Sequence, residues 1–311
     1  MEESTIDWDK VTAMDNETLL NFANDLYEAL HLEQAKSTYQ MYLKRNPKNI
    51  EALDQYTDCL EQMGLIEELQ QALTPYLNQQ DLITSYEHCY KLLFKYAQTQ
   101  QGKQAIQIYE YGIQLALQKN ASKRDIGDAF AAIAEVYQTD LLQFKESEQT
   151  CIDAINNAFK YDPINLDAFL QLANFHLNKE DEEAAKNDLR VIYEKLEVEM
   201  EEYDEDFILQ VGKLLVEVEL FNQSIKILRM LVDRNAEDPE SLYMLAFALW
   251  KAQKYEESQK IVNGILQLPD AKEDQEIWTA TLELQDQLEK ETWMDVEDEE
   301  QNQLQKLQQL E

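Results

Sequence analysis

Residues 16–49 read NETLLNFANDLYEALHLEQAKSTYQMYLKRNPKN, and the order of apolar and polar residues in this stretch decides the fold. Two sets of apolar residues recur at spacings of three and four, the first at Leu19, Phe22, Ala23 and Leu26 and the second at Ala35, Tyr39 and Tyr42. That spacing places each set on one face of an α-helix. Pro47 ends the second helix, and Asn49 is suited to cap the next one. The stretch therefore predicts a pair of amphipathic helices that pack on each other.

The same pattern recurs along the chain. Seven units begin at residues 16, 50, 86, 127, 166, 205 and 239, so consecutive starts lie 34, 36, 41, 39, 39 and 34 residues apart. The period and the order of small and large residues resemble the tetratricopeptide repeat, whose period is about 34 residues. The resemblance implies an all-α fold, a right-handed superhelical α-solenoid of about seven helix pairs. Another α-solenoid with a longer period is the alternative.

The repeats divide the chain into three predicted parts. Residues 1–15 form an acidic N-terminal extension, and residues 16–290 form the repeat array. The array ends in a C-terminal capping helix near residues 275–290, because a terminal repeat needs a cover with a polar outer face. Residues 291–311 are predicted to be an acidic, mostly disordered tail, with room for one short helix.

Composition supports long helices with short connections. The 311 residues include 6 Gly and 5 Pro, whereas average usage gives roughly 22 and 15. So few turn residues argue against a sheet-rich fold and against glycine-rich phosphate loops.

Charge narrows the range of partners. The chain has 62 Asp+Glu and 27 Lys+Arg, a net charge of −35. Residues 1–126 carry 19 acids and 11 bases, and residues 127–311 carry 43 acids and 16 bases. Such a polyanion repels phosphate backbones and anionic lipid surfaces. We therefore expect a basic protein segment as partner, with no direct binding of nucleic acid or membrane.

Signatures of catalysis and of cofactors are weak. The three Cys and three His lack zinc-binding spacing, and the odd, scattered Cys indicate a reducing compartment. His88 and Cys89 are adjacent, but neighbouring helical residues do not face each other, so we expect a buried Cys beside a partly exposed His. No metal, cofactor or enzymatic activity is expected. The longest apolar run, Leu242–Trp250, is much shorter than the ~20 residues of a membrane span, and residues 1–10 lack an apolar stretch, so the protein is expected to be soluble and intracellular.

The candidate binding residues lie on the first helix of each unit, which lines the inner face of a tetratricopeptide array. Spacing from the packing residues places a mixture of acids and aromatics on that face. The candidates are Glu17, Tyr27, Glu28, Glu51, Asp54, Asp58, Glu61, Phe94, Asp128, Glu135, Asp167, Asp206, Glu217, Tyr243, Phe247 and Trp250.

Two acidic features stand out. Glu51, Asp54, Asp58 and Glu61 share one stripe, where they would repel each other without relief, so a cationic ligand is predicted there. The densest acidic run, EVEMEEYDED at Glu197–Asp206, is predicted to form or flank an enlarged connection. That run is either a solubilising segment or a second surface for a basic partner.

The second half carries a more specific resemblance. Residues 166–196, LDAFLQLANFHLNKEDEEAAKNDLRVIYEKL, and residues 208–258, ILQVGKLLVEVELFNQSIKILRMLVDRNAEDPESLYMLAFALWKAQKYEES, resemble the dedicated assembly chaperones of the large-subunit ribosomal protein of the L-four type. The resemblance implies an acidic array that wraps a basic loop of the newly made ribosomal protein in the cytoplasm and escorts it into the nucleus. The chain departs from that family at FALWK in the seventh unit, and its first half is more divergent.

Two other functions remain open. One is a tetratricopeptide scaffold or adaptor subunit of a multiprotein complex. The other is an adaptor for the tail of a heat-shock chaperone, which needs cations and Asn on the first helices to clamp a carboxylate. Only Asn24 and Lys213 suit that clamp, and they lie five units apart.

Overall fold

The computed structural model describes residues 6–77, 79–144, 146–272 and 274–308, and their side chains except at 80, 82, 270 and 292–308. Within those residues the chain is all-α, an α-solenoid without strands. Its helices are α1 (Trp8–Ala13), α2 (Asn16–Glu28), α3 (Leu32–Arg45), α4 (Ile50–Gln62), α5 (Ile66–Leu77), α6 (Gln80–Ser85), α7 (Cys89–Gln98), α8 (Gly102–Gln118), α9 (Lys123–Gln138), α10 (Ser147–Tyr161), α11 (Leu166–Asn178), α12 (Glu182–Glu199), α13 (Glu205–Glu217), α14 (Phe221–Arg234), α15 (Pro239–Lys251), α16 (Tyr255–Ile265) and α17 (Gln275–Gln308). Each of these helices is too short or too polar to cross a membrane.

The helices form two compact units. Unit 1 is residues 1–171 and unit 2 is residues 172–311, so the division falls inside α11. In each unit, consecutive helices pack on one another, as α2 does on α3, α9 on α10 and α15 on α16. Short connections between such helices make them antiparallel neighbours.

The predicted starts agree closely with the first helices of the pairs. α2, α4, α11, α13 and α15 begin at 16, 50, 166, 205 and 239, as the repeat pattern predicted. The third and fourth units differ: α7 begins at Cys89 rather than at 86, after the short α6, and α9 begins at Lys123 rather than at 127. Ser122 explains the earlier start of α9, because its hydroxyl accepts a hydrogen bond from the Asp125 N–H and caps the helix.

Small residues permit the close packing within pairs, as the pattern predicted. In unit 2, a Cβ added at Gly212 would lie 2.6 Å from the Leu228 side chain, so only glycine fits there. The buried Ser224 hydroxyl donates to the Gly212 carbonyl at 2.8 Å, and Ser258 donates to Ala246 at 2.7 Å. The same contact thus recurs in two successive pairs and holds the second helix against the first.

One turn geometry recurs between helices. The residue after the helix has a positive φ, and the next N–H reaches back five residues, as His31 does to the Leu26 carbonyl at 2.9 Å. This is the Schellman arrangement, which usually uses glycine. Here it is found at Leu30, Gly64, Asn120, Glu180, Glu219 and Gln253. The scarcity of Gly therefore reflects turns built from other residues, at a steric cost, rather than an absence of tight turns.

Both chain ends contain helix. The N-terminal extension includes α1, whose Val11 is buried, and the Arg45 guanidinium donates to the carbonyls of Thr12 and Met14. At the other end, the capping helix does not stop near residue 290, because α17 continues to Gln308. The helix thus passes the predicted boundary at 291 without a break. The division of the chain into three parts stays a prediction, and residues 1–5 and 309–311 and the side chains of residues 292–308 lie outside the described residues.

Candidate functional site: an acidic and aromatic cavity

In unit 1, the first helices of three consecutive pairs line one cavity. It lies between α4, α7 and α9 and has a volume of about 360 Å³. Four predicted binding residues line it together, Asp58 and Glu61 from α4, Phe94 from α7 and Asp128 from α9. The repeat pattern therefore brought residues up to 70 positions apart onto one surface, as the inner-face assignment required. We call this surface the α4–α7–α9 cavity.

A buried ionic cluster forms one wall of the cavity. The Lys95 ammonium lies 2.8 Å from an Asp54 carboxylate oxygen and 2.5 Å from an Asp58 oxygen, and it also donates to the Thr57 hydroxyl at 3.2 Å. Tyr86 donates to the other Asp54 oxygen at 2.9 Å. The Lys95 side chain is 9% exposed. Two carboxylates and a hydroxyl thus surround one buried cation, and a phenol is bonded to one of the carboxylates.

The pKa values in the cluster follow from this geometry. Burial alone would lower the pKa of Lys95, but the adjacent charges of Asp54 and Asp58 outweigh it and raise the pKa. Burial also raises the pKa of Tyr86, and the neighbouring Asp54 carboxylate raises it further. Lys95 therefore stays protonated and Tyr86 stays neutral, which keeps the hydrogen bonds in place around neutral pH.

This cluster corrects the interpretation of the four-acid stripe. The repulsion predicted among Glu51, Asp54, Asp58 and Glu61 is relieved in part from within the chain, because Lys95 pairs with Asp54 and Asp58. Asp54 is 8% exposed and faces Lys95 rather than a ligand. Repulsion alone was therefore insufficient ground for a cationic ligand, because it omitted a lysine 41 residues away in the sequence. Binding of a cation by Glu51 and Glu61 stays a prediction.

Aromatic rings follow α7 along the cavity. Ring contacts link Tyr86 to His88, His88 to Tyr90, Tyr90 to Phe94 and Phe94 to Tyr109, with centroids 5.7 to 6.2 Å apart. Phe94 and Tyr109 line the cavity. Burial raises the pKa of Tyr109, and the charges of Glu135 and Glu61 raise it further, which places this ring between the acids of α4 and α9.

α9 contributes two carboxylates to the cavity. Asp125 accepts a hydrogen bond from the Tyr90 hydroxyl at 3.0 Å, and burial together with this bond raises the pKa of Tyr90 to about 12. Asp128 accepts a hydrogen bond from the Asn165 amide at 2.5 Å. Burial nevertheless raises the pKa of Asp128, because a neutral amide compensates a desolvated carboxylate only in part.

The remaining candidates of unit 1 lie around the cavity or beside it. Tyr27 is half-buried, and its pKa is raised first by burial and then by the charge of Asp58, so it lies near that acid. Asp167 is half-buried in the first turn of α11. The other candidates are exposed on the first helices, at Glu17, Glu28, Glu51 and Glu135.

In unit 2 the aromatic side chains predicted to bind a partner are more buried than expected. Tyr243, Phe247 and Trp250 are half-buried, and they pack against a cluster that includes Leu284 and Leu288 of α17. Burial accordingly raises the pKa of Tyr243. The prediction treated these rings as exposed, so it is corrected: the capping helix covers part of their surface.

The two candidate acids of α13 in unit 2 are exposed, and acids of the run at 197–206 pair with basic neighbours. Asp206 and Glu217 are exposed on α13. In the run at 197–206, Glu197 pairs with Lys226, and Glu201 lies 3.7 Å from the Arg234 guanidinium. The run ends α12, forms a 3₁₀ turn at Met200–Glu202 and caps α13 through Asp204, so it flanks the connection as predicted.

The residues considered for catalysis occupy ordinary structural positions. Cys89 is buried, and burial raises the pKa of its thiol, which makes it a poor nucleophile at neutral pH. His88 is exposed and contacts the rings of Tyr86 and Tyr90. Among the described residues, no group of three His, Cys, Asp or Glu side chains could hold a metal ion.

Four members of the site were not predicted from the sequence, namely Lys95, Tyr86, Tyr109 and Asp125. One signal was available: Lys95 is the single charge in LLFKYA, an otherwise apolar and aromatic helical stretch. A lone lysine in such a run is rarely buried unless it is paired. The position of its partners could not be read from α7 itself.

Comparison with solved structures supports the fold. The chain is similar to the assembly chaperone of RpL4 (Acl4, residues 1–338), with a TM-score of 0.58 and 18% identity over 79% of this chain and 100% of that one. This is a likeness of fold, and at that level it confirms the resemblance stated from the sequence. A second similar structure is TTC0263, a thermophilic TPR protein in Thermus thermophilus, with a TM-score of 0.37 and 14% identity over 76% of this chain and 100% of that one. No family model and no curated protein matches the chain.

Proposed function

We propose that this protein is a dedicated chaperone that binds and shields a basic segment of a newly made large-subunit ribosomal protein of the L-four type and escorts it to ribosome assembly. The observation that carries the proposal is the fold shared with the assembly chaperone of RpL4 along that chain's whole length. The net charge of −35 and the sequence resemblance of residues 166–258 point in the same direction.

The mechanism is charge shielding. A basic ribosomal segment that is not neutralised binds any polyanion it meets. Carboxylates on the first helices neutralise its Lys and Arg side chains, while Tyr27 and Phe94 contact their aliphatic stems. Ribosomal RNA, a denser polyanion, then displaces the chaperone at the assembly site.

The acids that contact the segment are the exposed ones. Asp54 and Asp58 are already paired with Lys95, so their role is to hold α4 against α7. Glu28 and Glu61 lie on exposed positions of α2 and α4, where a partner can reach them. The binding surface of unit 1 is thus built on the buried cluster but does not include Asp54.

The same proposal covers activity and location. The protein acts by binding, without catalysis or a cofactor. It does not bind nucleic acid or membranes directly, because its charge opposes both. It meets its client in the cytoplasm and releases it in the nucleus.

The test is calorimetric titration of the isolated basic internal segment of an L-four-type ribosomal protein. We expect binding that weakens with salt as the Debye length falls from about 10 Å at 0.1 M to about 3 Å at 1 M. The variant Glu28→Lys/Glu61→Lys should lose at least about tenfold in affinity, because rim charges of opposite sign both steer and hold a charged partner.

The matched control is Glu67→Lys/Glu110→Lys. It reverses two exposed acids of second helices in the same unit, so the net charge changes equally. Equal losses of affinity in the two variants would indicate that the segment is attracted to the negative charge of the whole protein rather than to the first helices. Failure of the wild-type protein to bind the segment at low salt would remove the L-four assignment and favour a scaffold subunit.

The heat-shock adaptor function is disfavoured by the contacts of the candidate clamp residues. Asn24 accepts a hydrogen bond from Tyr39 at 2.8 Å, and Lys213 pairs with Glu240 at 2.6 Å. Lys95 is held by two carboxylates. A terminal carboxylate would therefore have to displace an existing partner from each lysine, and the Asn24 side chain is already oriented by its bond to Tyr39.

A further inference from the structure

The α4–α7–α9 cavity has two kinds of wall. Glu61, Asp125 and Asp128 supply carboxylates, and Phe94 and Tyr109 supply rings whose centroids are 6.0 Å apart. Its volume of about 360 Å³ falls within the range of about 300–1,000 Å³ that is typical of small-ligand sites. The cavity therefore has the size and the polarity to receive a side chain, rather than only to border a flat surface.

Negative charge exceeds positive charge around this cavity. Of the two lysines that line it, Lys95 is already paired with Asp54 and Asp58. The pKa of Asp128 is raised by burial, even though the Asn165 hydrogen bond and the charge of Arg124 oppose that shift. A cation that enters the cavity would therefore stabilise a carboxylate that the protein itself solvates poorly.

A glycine fixes the position of the aromatic wall. A Cβ added at Gly112, in the middle of α8, would lie 2.7 Å from the Phe94 ring. Glycine destabilises the interior of a helix relative to alanine, and here it allows the Phe94 ring to lie directly against the helix backbone. This observation is independent of charge, and it places the Phe94 ring between α8 and the cavity.

We propose that this cavity is an arginine pocket, in which one guanidinium of the bound basic segment stacks on Phe94 and donates hydrogen bonds to Glu61 and Asp128. The proposal rests on the proposed function and names the side chain that the segment must present. Arginine suits the pocket better than lysine, because its planar group stacks on aromatic faces and forms paired hydrogen bonds with carboxylates.

The test uses two defined probes, N-acetyl-arginine amide and N-acetyl-lysine amide, and the methyl signals of Ala129 and Ala132. Both alanines line the cavity, so their ¹³C-methyl resonances report occupancy directly. We expect saturable shifts with the arginine probe and at least tenfold weaker apparent affinity for the lysine probe. Equal responses to the two probes, or no shift of either methyl group, would overturn the pocket.

Two variants and one control complete the experiment. Phe94→Leu removes the stacking face, and Asp128→Asn removes a charge while it keeps an oxygen that can accept from Asn165. The circular dichroism of each variant shows whether it is folded. Each should weaken the arginine probe by at least tenfold, whereas Phe144→Leu, at an exposed ring outside this cavity, should not. Unchanged binding in a folded variant of the first pair would also overturn the proposal.

The outcome is separable from that of the proposed function. If the ribosomal segment binds with equal affinity before and after all of its arginines are changed to lysine, the pocket fails while the chaperone function stands. If the arginine probe shifts Ala129 and Ala132 but the ribosomal segment does not bind, the pocket stands and the client assignment fails.

Discussion

The ion pairs of Lys95 in unit 1 and two ion pairs of unit 2 differ in burial. In unit 1, Lys95 is buried between Asp54 and Asp58 and links α7 to α4. In unit 2, the pairs Lys213–Glu240 and Arg229–Glu257 lie on the surface, with each side chain more than 40% exposed. A surface pair adds little to the free energy of unfolding, because water stabilises its separated charges almost as well as the pairing does. The buried cluster is different, since removal of one member leaves the others desolvated without compensation.

The largest expected effect comes from Lys95→Met. The change keeps much of the side-chain volume but leaves Asp54 buried beside Asp58 without a counter-charge. We expect it to lower the free energy of unfolding by about 3–5 kcal/mol, the usual cost of breaking a buried pair. Urea unfolding monitored by circular dichroism would measure the change.

The matched control is Arg229→Met in unit 2, which removes one member of an exposed pair. Its change in the free energy of unfolding should lie within the error of the measurement. A second substitution sharpens the result: Asp54→Asn, added to Lys95→Met, should restore part of the lost stability because it removes the uncompensated charge. Equal losses for Lys95→Met and Arg229→Met would show that burial does not distinguish the two kinds of pair.

The next prediction tests whether the stability of unit 2 depends on the apolar packing of α17, in contrast to the buried ion pairs of unit 1. Leu288 of α17 is fully buried against the cluster that contains Ala246 and Val262. Leu288→Ala should cost about 2–5 kcal/mol, as buried leucines do elsewhere, and thermal unfolding would report it. Leu282→Ala, on an exposed position of the same helix, is the control. A small loss at Leu288 would mean that α17 does not hold the end of the array.

The smallest effect concerns a feature that the two units share. Leu30 in unit 1 and Glu219 in unit 2 have φ values of 59° and 62°, a conformation that costs non-glycine residues roughly 1–2 kcal/mol. Leu30→Gly and Glu219→Gly should therefore each raise stability, by about 1 kcal/mol after the greater chain entropy of glycine is counted. The measurement is the midpoint of thermal unfolding.

Gly64 provides the opposite test, because glycine is already the favoured residue at its φ of 67°. A Cβ added there would have no atom within 4 Å. Gly64→Ala should lower stability, since the only change is a Cβ in the left-handed region. An increase in stability at Gly64, or a decrease at both Leu30 and Glu219, would show that the side chains of these turns matter more than their backbone.

The helices were predictable from the sequence because their determinants are local. Apolar spacing, the caps Asp15, Asn49 and Asp204 and the Pro239 start lie within a few residues of each helix they define. The inner-face assignment followed from the same spacing. Asp58, Glu61, Phe94 and Asp128 do line one cavity, although their chain positions are far apart, and their role in binding stays a prediction.

The chemistry of the site was less predictable because it depends on tertiary contacts. A helical pattern shows that Asp54 and Asp58 share a face, but it does not reveal that Lys95 of α7 meets them across α5 and α6. The cover over Tyr243 and Phe247 is also tertiary, since it depends on where α17 packs. Repulsion within one helix is therefore a weak argument for an external ligand until the neighbouring helices are known.

The buried link between α4 and α7 also has a mechanical consequence. Repeat arrays usually unravel one unit at a time, because each unit contacts only its nearest neighbours. Lys95 of α7 pairs with Asp54 and Asp58 of α4, and α5 and α6 lie between these residues in the sequence. Force applied to the chain ends should therefore not unfold α5 and α6 until these ion pairs break. In a single-molecule pulling experiment, residues 50–98 should unfold together in one extension step. This segment would then resist force more strongly than the repeats that unfold one at a time.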